Sequence, residues 1–207
     1  MNERSFIFTP NMRIRDEHKE QIVKQKALEL LVSQGFEGFS MQKLAKAANV
    51  SPATLYIYYR DKEDLVMSIG REIGKKLNQA IFKDFNPEAP FEDGMRVQWR
   101  NRANFMLSHA LEMTFYEQIK NSTFREAVAA DIVAEFKEKM SVFMRNAIEK
   151  NEVKAMPIEV FWSVAYAPLY NLLRFHSEGK SIGDRPFVFS EEIMWQTFDL
   201  VMKALKI

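Results

Sequence analysis

The sequence predicts an all-α fold, and three observations carry that expectation. Apolar residues recur at three- and four-residue spacing, as in Ile22, Val23, Ala27, Leu30 and Leu31. Glycine and proline are sparse, seven of each in 207 residues, and few fall in strand-like alternation. Ser40, Ser51 and Asp61 each precede a helical pattern, where a short polar side chain accepts an orphan backbone N–H.

Taken in order, the first helix is expected over Asp16–Gln34, with Gly35 as its stop. Before it lies a loose arm whose Arg13 and Arg15 are either phosphate or minor-groove contacts or part of a frayed basic terminus. Phe36 and Phe39 then plug a three-helix core. The second helix is expected over Met41–Ala48 and the third over Pro52–Tyr58, with Asn49 at the turn because asparagine tolerates left-handed backbone. Pro52 at the first helical position loses no needed donor. A helix of two turns cannot stabilise itself, so it must be held on a scaffold with one side free.

Leu44, Ala45, Ala48, Val50 and Leu55 are the inward residues, and the two alanines permit close helix crossing. Gln42, Lys43, Lys46, Ala53, Thr54, Tyr56, Tyr58 and Lys62 are left outside. Residues 40–62 hold four Lys or Arg against one acid, Asp61. This local charge and these side-chain types suit phosphates and base edges.

Asp61 caps a long helix running to about Lys83, with Asp64 at the capping-box position. Gly70 and Gly74 inside it mark either a close crossing or a soft point. Asn86–Pro87–Glu88–Ala89–Pro90 ends that helix. Further helices are expected at Phe91–Glu112, Thr114–Lys120, Arg125–Lys150, Pro157–Glu178 and Ser190–Leu205. Pro168 should kink the fourth of these. The breaker-rich loop Gly179–Pro186 joins the last two.

Composition bounds the function. Apolar residues make up 47% and charged residues 28%, which describes a well-cored chain. A net charge of +1 means that attraction to nucleic acid must come from a local patch. With no cysteine there is no disulfide, thiolate metal site or Cys nucleophile, which fits a reducing compartment. The longest apolar run near the start is Phe6–Phe8, and no run reaches 18 residues. A cytoplasmic chain without membrane contact is therefore the expectation. His18, His109 and His176 are scattered with no carboxylate at ligand spacing, so no metal site and no cofactor are expected. No Ser/His/Asp spacing, glycine-rich phosphate loop or carboxylate pair suggests an enzyme.

The N-terminal residues resemble the TetR family of bacterial transcriptional regulators. The match runs through Ile22–Ala27–Leu28–Leu31, Gly35–Phe36, Phe39–Ser40–Met41, Leu44–Ala45 and Val50–Ser51–Pro52–Ala53–Thr54–Leu55–Tyr56 to Tyr58–Tyr59 and Lys62–Glu63–Asp64–Leu65. Asn49 departs from the usual glycine of the turn, and Tyr59 stands where phenylalanine is common.

The resemblance implies a helix-turn-helix DNA-binding domain over residues 1–62 and a helical effector-binding and dimerisation domain over residues 63–207. It implies contacts to double-stranded operator DNA from Ser40, Gln42, Lys43, Ser51, Ala53, Thr54, Tyr56, Tyr58 and Lys62. It further implies a homodimeric repressor released by a small apolar or amphipathic effector. Candidate effector residues are Trp99, Arg102, Phe105, His109, Tyr116, Phe143, Trp162 and Tyr166. Candidate dimer residues are Phe161, Ala165, Leu169, Leu172, Ile193, Phe198 and Val201. The alternative is a helical ligand-binding or interaction protein of the same fold that does not bind DNA.

Overall fold

The computed structural model describes residues 10–207, except for the side chains of residues 10–16 and Asp131. The contacts expected of Arg13 and Arg15 lie outside that description. The chain is all-α, with helices α1 (Pro10–Gly38), α2 (Met41–Ala47), α3 (Pro52–Tyr58), α4 (Lys62–Ile81), α5 (Phe91–Ser108), α6 (Ala110–Lys120), α7 (Arg125–Glu149), α8 (Ile158–Ala165), α9 (Ala167–Glu178) and α10 (Glu191–Leu205). A single 3₁₀ turn, Ile182–Asp184, interrupts the loop before α10. No helix among the described residues is long and apolar enough to cross a membrane.

Three boundaries differ from the sequence expectation. Helix α1 begins at Pro10, ahead of Asp16, and its regular course ends at Gly35, where φ 68° and ψ 177° break it as expected. The expected helix Phe91–Glu112 is cut at His109 (φ −128°, ψ 46°). There Ser108 Oγ donates to the Asn104 carbonyl at 2.6 Å, so side-chain bonding competes with the helical ladder. The expected helix Pro157–Glu178 is likewise two helices, parted at Tyr166 (φ −124°, ψ −31°). Pro168 has no N–H to donate to Val164, so it sits in the first turn of α9, where none is needed.

Two apolar clusters build the core. The first joins α1–α4 and continues into Phe115 and Ile119 of α6 and Val128 and Ile132 of α7. The second joins α5 and α7 to α8–α10. Helix α4 links them, packing against α5, α6 and α7. Gly70 and Gly74 are the reason α4 and α7 approach so closely. A Cβ on Gly74 would lie 2.0 Å from Ile132 Cδ1, and one on Gly70 would lie 3.0 Å from Val128 Cγ2. They mark a close crossing.

Polar side chains fix the same joints. Asn78 Nδ2 donates to the Ile132 carbonyl at 2.8 Å, and Arg71 donates to the Ala127 carbonyl. Gln98 and Asn101 of α5 both donate to the Ile81 carbonyl, satisfying the otherwise open end of α4. Glu152 accepts from the Phe91 backbone N–H and so caps α5 from the far side of the sequence.

Candidate nucleic-acid interface

Helix α3 is positioned by local chemistry. Ser40 Oγ accepts from the Lys43 backbone N–H, and Ser51 Oγ accepts from that of Thr54, each at 3.2 Å. Asn49 takes the left-handed conformation at φ 53°. Its N–H donates to the Lys46 carbonyl while Val50 N–H donates to that of Ala45, a Schellman closure of α2. The scaffold beneath is Val23, Ala27, Leu31 and Phe39, all buried, with Phe36 partly so. Leu55 of α3 and Tyr59, the residue just after it, are buried against it.

That anchoring leaves Ala53, Tyr56 and Ile57 facing outward, with Tyr56 55% and Ile57 78% exposed. Thr54 and Tyr58 are half-buried, and the Thr54 hydroxyl lies 2.9 Å from that of Ser51. Gln42, Lys43 and Lys46 of α2 are exposed on the neighbouring helix. The short helix thus presents one uncharged rim next to two lysines.

Two of the expected phosphate lysines are already engaged. Lys43 Nζ donates to Gln34 Oε1 at 3.0 Å and to the Gly38 carbonyl at 2.6 Å. Lys62 Nζ donates to the Phe36 carbonyl at 2.6 Å and is half-buried. Both therefore tie down the end of α1. Each ammonium has three donors, so each keeps capacity for a phosphate.

Ile57 was absent from the set expected from sequence. Its signal was available: Leu55 and Tyr59 share the inward face, which turns position 57 outward on a 3.6-residue helix. Asp64 also differs in detail. Its N–H donates to Asp61 Oδ1 as expected, but its carboxylate accepts from the Arg60 N–H, one residue before the cap.

Charge and burial clamp α1 to α4 behind this face. Lys24 Nζ lies 3.1 Å from Glu20 and 2.9 Å from Glu72, and Lys76 lies 2.8 Å from Glu72. The Tyr59 hydroxyl donates to Glu20 at 3.2 Å. Burial first, then Glu20, raises the Tyr59 hydroxyl far above the usual phenol value, so it remains a donor.

The expected effector residues do not form one site. Trp99 is core: its indole N–H donates to the Ala165 carbonyl at 2.9 Å and its ring meets Phe198 edge-on at 5.3 Å. Phe143 is also core, stacked on Phe91 at 5.7 Å and filling the space opened by Gly94. Phe105 and His109 stack on each other at 4.1 Å at the α5–α6 break. Tyr116 is half-buried and packs against the first core cluster.

Arg102, Trp162 and Tyr166 do come together, with Phe136, Tyr170 and Gln98. Gln98, Phe136 and Tyr170 were outside the expected set, although Gln98 and Tyr170 each lie four residues from a member of it. Burial raises the Tyr166 hydroxyl, with Arg102 opposing that shift. Two open surface grooves lie elsewhere. One of about 640 Å³ runs along Gly35, Phe36, Thr114, Glu117, Gln118, Asn121 and Ser122, and one of about 490 Å³ lies along Glu92, Asp199, Met202, Lys203, Lys206 and Ile207. Neither includes an expected effector residue.

Of the expected dimer residues, Phe161, Ala165, Leu169, Phe198 and Val201 are sealed within the core of the single chain. Leu172 and Ile193 are half-buried, and the outward side of α10 presents Leu200, 66% exposed.

Residues 25–69 match the family model described as "Bacterial regulatory proteins, tetR family". An uncharacterised HTH-type transcriptional regulator of Haemophilus influenzae is 33% identical over 72 residues, covering 35% of this chain and 38% of that protein. The fatty acid metabolism regulator protein of Bacillus subtilis is 35% identical over 71 residues, covering 34% of this chain and 37% of that protein. These matches span little more than a third of either relative. A solved TetR-family transcription regulator from Marinobacter aquaeolei superposes with a TM-score of 0.76 at 23% identity, covering 94% of this chain and 98% of its own. The N-terminal segment is thus a TetR-family domain, and the whole chain has the fold of that solved regulator. These relatives are named as regulators, not as enzymes.

Proposed function

With a TetR-family N-terminal domain as premise, we propose that this chain is a sequence-specific DNA-binding transcriptional regulator. The observation that carries the reading is the exposed rim of α3, capped by Ser51 and flanked by Lys43 and Lys46. A helix of this size enters the major groove, where uncharged rim residues meet base edges and lysines meet phosphates. Ser40, Gln42, Lys43, Ser51, Ala53, Thr54, Tyr56, Tyr58 and Lys62 are the proposed contacts, and Ile57 joins them.

The working form is a homodimer acting as a repressor. Two copies would read a near-palindrome with half-sites about 34–36 Å apart or a multiple of that. The exposed Leu200, with half-buried Leu172 and Ile193, offers the apolar surface for α9 and α10 of two copies to meet. Selection from random duplexes tests the DNA reading. Enrichment of a two-fold symmetric site is expected, and no enrichment would leave the chain as a ligand-binding or interaction protein of this fold. A sedimenting mass of one 24.2 kDa chain at micromolar concentration would reject the dimer.

A small effector is proposed to release the DNA by favouring a dimer with its two α3 helices out of groove spacing. Phe36 supports a path for that shift. Its ring meets Phe115 of α6 and Phe124 before α7, at 6.2 and 5.4 Å, while its carbonyl holds Lys62. Moving the equilibrium from one extreme to the other needs about 5.5 kcal/mol of differential affinity. Retention of the same DNA affinity with every ligand that binds would reject release.

A further inference from the structure

Arg102 carries a charge that nothing around it neutralises. It is 2% exposed, on the inward face of α5. Nη1 donates to the Tyr170 hydroxyl at 2.8 Å and Nη2 to Gln98 Oε1 at 3.0 Å. Its Nε–H is buried without an acceptor. The guanidinium sits 4.2 Å from the Tyr166 ring centre, 5.5 Å from Phe136 and 5.7 Å from Trp162. Every one of these partners is neutral, and no ion pair among the described residues includes Arg102.

An arginine cannot escape this cost by losing its proton. Aromatic faces and neutral acceptors offset part of the desolvation, but a buried cation is fully compensated only by an anion. The surroundings also show where the rest of a ligand would lie. Trp162 is 37% exposed and stacks on Tyr170 at 6.1 Å, so it forms the outer wall of the cluster. The α8–α9 break at Tyr166 lies against the guanidinium, so no continuous helix runs behind that wall.

We propose that Arg102 anchors the oxyanion headgroup of an amphipathic effector whose apolar body packs against Trp162, Tyr166 and Phe136. This rests on the effector reading above and narrows it to anionic ligands, carboxylate or phosphate. A neutral amphiphile would leave the charge of Arg102 unanswered, and a cationic one would be repelled by it.

The test uses the full-length protein and the octyl, dodecyl and hexadecyl series of carboxylates, alkyl phosphates and alcohols, followed by tryptophan fluorescence and thermal unfolding. At least one anionic series should bind about tenfold or more tighter than the alcohol of equal length, because a charge-assisted bond replaces a neutral one. The tighter of the two anionic series identifies the headgroup. Arg102→Gln should reduce that preference to about onefold while leaving alcohol binding in place. If Arg102→Gln does not fold, Arg102→Lys keeps the charge and should keep a reduced preference. Equal binding of anion and alcohol overturns the proposal and leaves a neutral effector site standing. Loss of neither affinity nor preference in Arg102→Gln overturns it as well, as does a failure of all three series to bind. Arg102-dependent anion binding that leaves operator affinity unchanged upholds the anion site and rejects its role in DNA release.

Discussion

Helix α3 and the Arg102 cluster place their chemistry at opposite ends of the same physical scale. The side chains of α3 that face outward are held by bonds a few residues away: Ser51 to Thr54, Asn49 to Lys46, Val50 to Ala45. The cluster is assembled from Gln98, Arg102, Phe136, Trp162, Tyr166 and Tyr170, contributed by α5, α7, α8, α9 and the α8–α9 junction. On the proposed function, the outward rim residues Ala53, Tyr56 and Ile57 of the first region would bind while others hold the fold. In the second region the same residues would have to supply both.

The largest effect should come from the core next to the second region, where Trp99 neighbours Gln98 on α5 without joining the Arg102 cluster. Trp99→Ala removes a fully buried indole, its bond to the Ala165 carbonyl and its contact with Phe198. A loss of about 3–5 kcal/mol is expected in urea unfolding followed by circular dichroism. A loss below about 1 kcal/mol would mean that Trp99 borders space a ligand can fill, and the contrast would break there.

The outer rim of α3 should give the reverse pattern. Ile57→Ala and Tyr56→Ala are each expected to weaken operator binding by about 1–3 kcal/mol and to relax base preference. Because both side chains are more than half exposed, the unfolding free energy measured in urea should stay within about 0.5 kcal/mol of the parent. Titration of matched and single-mismatch duplexes reads the first quantity. Uniform weakening across all duplexes would reassign these residues to the backbone.

The same contrast explains what the sequence made legible. The caps Ser40, Ser51 and Asp61, the left-handed Asn49 and the scaffold residues are local signals, and each acts where its spacing said it would. The break at His109 was hidden because Ser108 sits inside an otherwise continuous apolar pattern. Pro168 instead signalled a kink, which the structure turns into a full break at Tyr166. An aromatic stripe does not say whether its partners belong to its own chain, so Trp99, Phe143 and Phe161 read equally as lining, seam or core. Burial of Arg102 without a counter-charge is a tertiary fact, invisible until five segments are brought together.

Lys62 tests whether the two roles are truly separate in the N-terminal region. Its ammonium bridges to the Phe36 carbonyl, so Lys62→Met should cost roughly 1 kcal/mol, at the lower side for a charged bond because the side chain is half exposed. If it also contacts a phosphate, the salt slope of DNA binding should fall by about 0.9. An unchanged slope with reduced stability removes Lys62 from the phosphate set and leaves only the tether to α1.

The smallest effect distinguishes the regions by acid. Burial alone would raise the Glu72 carboxyl, but Lys76 and Lys24 outweigh it and hold that group below the usual carboxylate range. A carboxyl depressed in the folded state stabilises above its unfolded pKa of about 4.3, and that contribution disappears as pH falls through the folded value. Glu72→Gln should therefore be less stable than the parent by about 0.5–1 kcal/mol near pH 6, since these pairs are partly solvated. The two proteins should converge by about pH 3. Gln98→Ala, beside Arg102, should show no such convergence, because the partners of that guanidinium carry no carboxylate to protonate. A pH-independent gap for Glu72→Gln would mean that its hydrogen bonds, not its charge, hold α1 against α4.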